Sequence, residues 1–155
     1  MKTYLIILVS LLSATFYIAC DRQNTFEVIL SDGEKYWLEN KDKEGVITTE
    51  SGLQYEVLKE GSGPQPTLED SVTVHYFGKR VDGYQFDSSY DRGEPVSFPL
   101  ARVIDGWQEG LQLMSVGSKY RFVIPPDLAY GAYGAGTSIG PFEYLIFEVE
   151  LLEIL

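Results

Sequence analysis

Val103-Ile104-Asp105-Gly106-Trp107-Gln108-Glu109-Gly110-Leu111-Gln112-Leu113-Met114 decides the fold, because it puts a helical rhythm inside a run of strands. Ile104, Trp107, Leu111 and Met114 recur at intervals of three and four, the spacing of a helix with one apolar face. Asp105 and Gln108 have capping-box spacing, and Gly117 follows as a stop. On both sides the period drops to two. Upstream, Leu53, Tyr55 and Val57 alternate with polar residues, and Val72, Val74 and Tyr76 alternate with Thr73 and His75. Asp82-Gly83 signals a hairpin turn into Tyr84-Gln85-Phe86. Downstream, Tyr120, Phe122 and Ile124 alternate until Pro125-Pro126 stops them, and Leu145, Phe147, Val149 and Leu151 share one face of a last strand. The sum predicts an α+β domain, an antiparallel sheet with one short helix packed on one face.

Composition narrows the chemistry. The chain has 155 residues, 45% of them apolar, with a net charge of −11. That is one domain plus some extra chain, with enough apolar content to fold. An acidic balance argues against a nucleic-acid partner, whose footprint is basic. A single Cys excludes an internal disulfide framework, and a single His leaves no zinc cluster. With no metal, no cofactor and no Ser/His/Asp arrangement indicated, any chemistry here has to work without them.

The first residues read as an address. Lys2 precedes an uncharged run, Tyr4 to Ala19, shorter than the roughly 20 residues of a membrane-spanning helix. Residues 1–19 therefore read as a signal peptide. The only cysteine ends that run in Tyr17-Ile18-Ala19-Cys20, which resembles a bacterial lipobox with Tyr17 in place of the usual Leu. Cys20 is the expected lipidation site, anchoring an exported protein to a bacterial membrane, facing periplasm or cell surface. Residues 20–46 are expected to be a charge-rich, lipid-anchored linker. Within it, Ser31-Asp32-Gly33-Glu34 starts a helix over about 32–44 that Gly45 ends, with Tyr36, Trp37 and Leu38 as a partial apolar face. The folded domain is expected over 47–155.

Six fragments carry more. Val74-His75-Tyr76, Phe86-Asp87-Ser88-Ser89, Asp91-Arg92-Gly93, Val103-Ile104-Asp105-Gly106-Trp107, Ala129-Tyr130-Gly131 and Phe147-Glu148-Val149-Glu150-Leu151 occur in this order. Together they resemble the FKBP-type peptidyl-prolyl cis-trans isomerases. Gly45 to Tyr55 further resembles exported bacterial members of the macrophage-infectivity-potentiator type. The resemblance implies a curved sheet wrapped around the short helix, with an apolar cup between them. It implies catalytic positions at Asp87, Tyr130, Phe86 and Trp107. Substrate contacts follow at Tyr76, Phe98, Val103, Ile104, Phe147, Ile139 and Arg92, with Arg92 also pairing Asp87. Trp107 would be the cup's floor. The Ile104 backbone N–H and the Tyr130 hydroxyl would hold ligand carbonyls. Implied partners are proline-containing unfolded or exported polypeptides, and a rapamycin-type macrolide as ligand. Val96 replaces an aromatic common in the family, and Ile139-Gly140-Pro141-Phe142 replaces a common Ile-Pro-Pro rim, which bears on substrate preference.

The reaction such a cup could run needs no proton transfer. Twisting an amide costs about 18–20 kcal/mol of resonance, and a water-poor hollow with fixed donors favours the twisted form. The alternative function is a proline-segment-binding chaperone or surface module with little catalysis. Other residues read more plainly: His75 as a solvated residue on its strand's polar face, Glu148 and Glu150 as an exposed strand face, and Asp105 as a helix cap.

Overall fold

A computed structural model describes residues 30–155; the stretch expected to be a signal peptide, residues 1–19, and Cys20 lie outside the described residues. Seven strands form one antiparallel sheet: β1 (Val46–Thr48), β2 (Gln54–Lys59), β3 (Ser71–Arg80), β4 (Gln85–Ser88), β5 (Val96–Pro99), β6 (Lys119–Ile124) and β7 (Leu145–Ile154). Their spatial order is β1-β2-β6-β7-β3, and β3 then pairs with both β4 and β5 along its outer edge. Among the described residues one α-helix precedes them, α1 (Asp32–Asn40), and two interrupt them, α2 (Ser89–Arg92) and α3 (Asp105–Gln112).

The period-2 residues all reach the interior. Val72 and Val74 of β3, Phe122 and Ile124 of β6, and Leu145, Val149 and Leu151 of β7 are fully buried against Leu111 of α3 and Met114. Each such side chain contributes about 1.5–3 kcal/mol by leaving water. Two glycines let α3 lie close to the sheet. A Cβ on Gly106 would fall 2.5 Å from Ile124 Cγ2, and one on Gly110 would fall 2.7 Å from Phe122 Cε1.

Two details of α3 differ from expectation. Its cap position is Ile104, whose carbonyl accepts from the Trp107 and Gln108 N–H groups, so Asp105 is the first helical residue and not the cap. Gln108 reaches back to the Val103 carbonyl instead of to the cap. The helix also ends at Gln112, before Gly117, whose φ of +90° serves the turn leading into β6.

α1 is shorter than predicted as well, and it belongs to the domain. Ser31 caps it by accepting from the Glu34 N–H, but it stops at Asn40, where the chain turns as the Lys43 N–H donates to the Asn40 carbonyl; the Asn40 side chain bonds the buried Gln54 side chain at 2.8 Å. Gln54 in turn donates to the Trp37 carbonyl, and the Trp37 indole donates to the Gly52 carbonyl. Gln54 shares its cross-strand row with Val123 and Ile146, both buried on the sheet face away from α3. The sheet is therefore covered on both faces at this point, deeply by α3 and shallowly by α1.

The polar strand faces are less open than their sequence suggests. Glu148 is half-buried, held by Lys119 at 3.0 Å and Arg121 at 2.9 Å, and Arg121 also binds Glu56. Glu150 pairs with Lys59. His75 is not simply solvated either; its ring stacks on Tyr90 and its Nδ1 lies 2.9 Å from Ser89 Oγ.

Candidate active site

Between the concave sheet and the N-terminal end of α3 lies a cup of about 420 Å³. α3 supplies its floor, Trp107, which is only 4% exposed. The indole is wedged by rings at steep angles: Tyr76 at 5.1 Å and 88°, and Phe147 at 5.2 Å and 83° between centroids and planes. Phe98 leans on it from β5, and Phe86 from β4 packs edge-on against Phe147. Edge-to-face contacts of this kind lock ring orientations beyond what area burial alone supplies. The floor and walls are thus rigid apolar surface, fixed before anything enters.

The walls exist because four strands, β3, β4, β5 and β7, bring side chains to one side of the sheet. Tyr76 faces inward from β3 and Phe147 from β7, where it is the cross-strand partner of Gly78, two residues after Tyr76. Val103 and Ile104 close the edge where the chain enters α3, and Tyr130 and Ile139 close the far side. A bridge between Ala135 and Ile139 folds the glycine-rich loop over the mouth, so that Ala135, Gly136 and Ser138 also line it. Val96 completes the wall from β5.

The floor holds one polar atom, Trp107 Nε1, buried without a hydrogen-bond partner; the remaining polar side chains of the site stand on the rim. Among the described residues the Ile104 N–H and the Tyr130 hydroxyl have no hydrogen-bond partner, and both border the cup. Across from them, Asp87 accepts hydrogen bonds from the Tyr76 hydroxyl and from Arg92, and Arg92 also donates to the Tyr76 oxygen at 3.1 Å. Partial burial alone would raise the Asp87 pKa, but the bonds from Tyr76 and Arg92 outweigh it and hold the carboxylate below its usual range. Burial, reinforced by the Asp87 charge, pushes the Tyr130 phenol up. At neutral pH the rim therefore presents an ionised carboxylate, a neutral phenol and a free amide N–H.

The structure gathers all the expected site residues except Arg92 around one hollow. Arg92 stands behind the rim as a brace on Asp87 and Tyr76 and does not line the cup. The sequence reading missed Ala135, Gly136 and Ser138, small residues whose place depends on the loop bridge and on no periodicity.

The family description "FKBP-type peptidyl-prolyl cis-trans isomerase" matches residues 63–152. The chain belongs to that family. A second description, "Domain amino terminal to FKBP-type peptidyl-prolyl isomerase", matches residues 17–57, which takes in α1. The chain is 56% identical over 134 residues to the FKBP-type 22 kDa peptidyl-prolyl cis-trans isomerase of Escherichia coli, covering 86% of this chain and 65% of that protein. It is 43% identical over 122 residues to the "Outer membrane protein MIP" of Legionella longbeachae, covering 79% of this chain and 52% of the relative. The crystal structure of FkpA from Escherichia coli superposes with a TM-score of 0.77 at 46% identity, over 79% of this chain and 57% of that one. The chain thus spans roughly half to two thirds of the length of these relatives. The likeness bears out the expected FKBP-like fold, with its curved antiparallel sheet around α3.

Proposed function

We propose that this FKBP domain accelerates cis/trans exchange at X-Pro bonds of polypeptides. The observation that carries the reading is the pairing of a rigid ring-lined floor with unpartnered donors, Ile104 N–H and Tyr130 Oη, on the rim above it. The pyrrolidine ring rests on Trp107, where burial stabilises it by about 25 cal/mol per Å². The planar X-Pro amide is strongly dipolar and best solvated by water. Once seated among Phe86, Phe98 and Phe147 it loses that water, and the twisted, less dipolar form loses less.

Donors then choose the geometry. The Ile104 N–H and the Tyr130 hydroxyl hold flanking carbonyls in the twisted arrangement, and being already in place they cost no reorganisation. Asp87 acts through its field on the reacting carbonyl; it is ionised throughout and exchanges no proton. Uncatalysed exchange takes tens to hundreds of seconds and limits folding, so a modest lowering of the barrier matters.

Tyr130→Phe and Asp87→Leu test these roles in a protease-coupled proline-peptide assay. Each lost interaction is worth on the order of 1 kcal/mol, so kcat/KM falls several-fold to about tenfold in each variant while the melting curve stays close to that of the parent. Full activity in both variants refutes the assignments. Suppression of client aggregation without isomerisation by the parent protein would instead support the chaperone-like alternative.

The substrates we assign are proline-containing exported polypeptides, reached from a membrane anchor at Cys20. The support is the signal-like run before Cys20 and the printed name of the Legionella relative as an outer membrane protein. Fractionation tests it: the full chain pellets with membranes and a Cys20→Ser form does not.

A further inference from the structure

Strand β3 has a seam. Its residues Ser71 to Val74 pair with β5 and Phe77 to Lys79 with β4, which leaves the His75–Tyr76 step of that edge without a strand partner. Ser89 fills the gap with a single hydroxyl. Its Oγ accepts the Tyr76 N–H at 2.8 Å and donates to the Tyr76 carbonyl at 3.1 Å. The same oxygen lies 2.9 Å from His75 Nδ1, and Ser89 is fully buried. A hydroxyl has one proton and two lone pairs. With the proton on the Tyr76 carbonyl and one lone pair on its N–H, the remaining lone pair takes a donor, so His75 Nδ1 carries a hydrogen. The imidazole is kept in that pose by stacking on Tyr90, 4.6 Å away and inclined by 13°.

We infer that Ser89, keyed by His75, is the positioning residue that sets the Tyr76–Asp87–Arg92 rim; the inference rests on reading the cup as an isomerase site. The leverage comes from where Ser89 sits. It is the first residue of α2 and Arg92 is the last, while Asp87 lies two residues before it in β4, paired across to Gly78 of β3. One hydroxyl therefore ties the strand that carries Tyr76 to α2, whose last residue, Arg92, bonds both the Tyr76 hydroxyl and Asp87. Removing it leaves a buried N–H and a buried carbonyl unpaired, and the chain relieves them by letting β3 and α2 move apart. Arg92 then loses its fixed place against the Tyr76 hydroxyl and Asp87, and the Tyr76–Asp87 pair loses its brace. Neither Ser89 nor His75 borders the cup, so their effect on turnover passes through Tyr76.

The test uses the full chain with ¹³Cζ-labelled tyrosine, in the parent, Ser89→Ala, His75→Asn and His75→Leu. Asn keeps an N–H donor where Nδ1 stood, and Leu does not. Ser89→Ala lowers kcat/KM on the order of tenfold, the scale of a sub-ångström misplacement at a reacting centre, and shifts the Tyr76 ¹³Cζ resonance. His75→Leu follows Ser89→Ala in both readouts, whereas His75→Asn stays within about twofold of the parent. An unmoved Tyr76 resonance in Ser89→Ala, or His75→Asn behaving like His75→Leu, overturns the proposal. If Ser89→Ala does not fold, the two His75 variants decide. If the parent itself lacks isomerase activity, the isomerase reading fails, while the Tyr76 resonance still decides whether Ser89 sets the rim.

Discussion

Gly78 lies in β3 behind two walls of the cup, and replacing it with alanine tests whether those walls govern turnover. A Cβ built there falls 2.6 Å from Phe147 Cε1 and 2.7 Å from Phe86 Cε2. Ordinary contact begins near 3.4 Å, so the rings must retreat by about 0.8 Å, the difference between 3.4 and 2.6 Å. Phe147 is held edge-on by Trp107 and Phe86, so it cannot slide sideways and moves toward the hollow. Overpacking of this size costs about 1–3 kcal/mol, a fall in Tm of roughly 4–12 °C at about 4 °C per kcal/mol. Displacing the walls by close to an ångström lowers kcat/KM on the order of tenfold or more. Gly83→Ala is the control: its φ of +89° makes alanine strained there, yet nothing stands within 4 Å of the added carbon. It loses stability through the backbone and keeps turnover per folded molecule. The assay is proline-peptide isomerisation at a temperature where both variants are folded, beside their melting curves. Parental kcat/KM in Gly78→Ala would refute the claim that Phe86 and Phe147 shape the reacting space.

Two further outcomes follow from charge and from α1. Asp87 is held below its ordinary value of 3.8, and the Tyr76 and Tyr130 phenols above 10.0, so turnover is flat between about pH 5 and 9 and a bell-shaped profile in that range contradicts the mechanism. Stability has the same window. The depressed Asp87 and Glu148 carboxylates contribute above their unfolded values and lose that contribution as pH falls through their folded ones, while the raised phenols contribute fully below pH 10 and lose it above; denaturant titrations at pH 3, 7 and 11 check this. Gln54→Ala leaves the Asn40 amide and the Trp37 carbonyl without their buried partner, costing about 1–3 kcal/mol. Because Gln54 lies on the sheet face away from the cup, kcat/KM stays at the parental value, and hydrogen exchange in residues 32–40 speeds up.

The deep half of the molecule was legible in the sequence, and the reason is physical. Residues that bury one side of a strand or helix must repeat with that element's period, so Val72, Val74, Phe122, Phe147 and Leu111 announce themselves. The cup inherits this legibility because its walls and floor are core residues left uncovered on one side. The shallow half left no such trace. Gln54 reads as a solvated polar residue in a strand, yet it is fully buried, since α1 returns its amide hydrogen bonds. Glu148 reads as exposed and is half-buried, because Lys119 and Arg121 lie over it from the neighbouring strand. Polar residues show what they need, a partner, but not where the fold supplies it.

That distinction separates what makes the cup from what tunes it. Ring packing fixes the floor to within the tolerance of a close-packed core, and periodicity is enough to specify it. The rim depends on three hydrogen-bonded side chains, Tyr76, Asp87 and Arg92, whose Asp87 and Arg92 side chains remain about 40% exposed. Exposed ion pairs hold their geometry weakly, since water competes for each partner and rotamer freedom opposes order. A rim built from such a pair alone would wander by more than the chemistry tolerates. The orientation has to be imposed from a drier place, and the nearest one is the backbone of Tyr76, whose N–H and carbonyl are both spoken for by a hydroxyl with no access to solvent. A surface carboxylate can thus act with the constancy of a buried one, provided the strand beneath it is pinned.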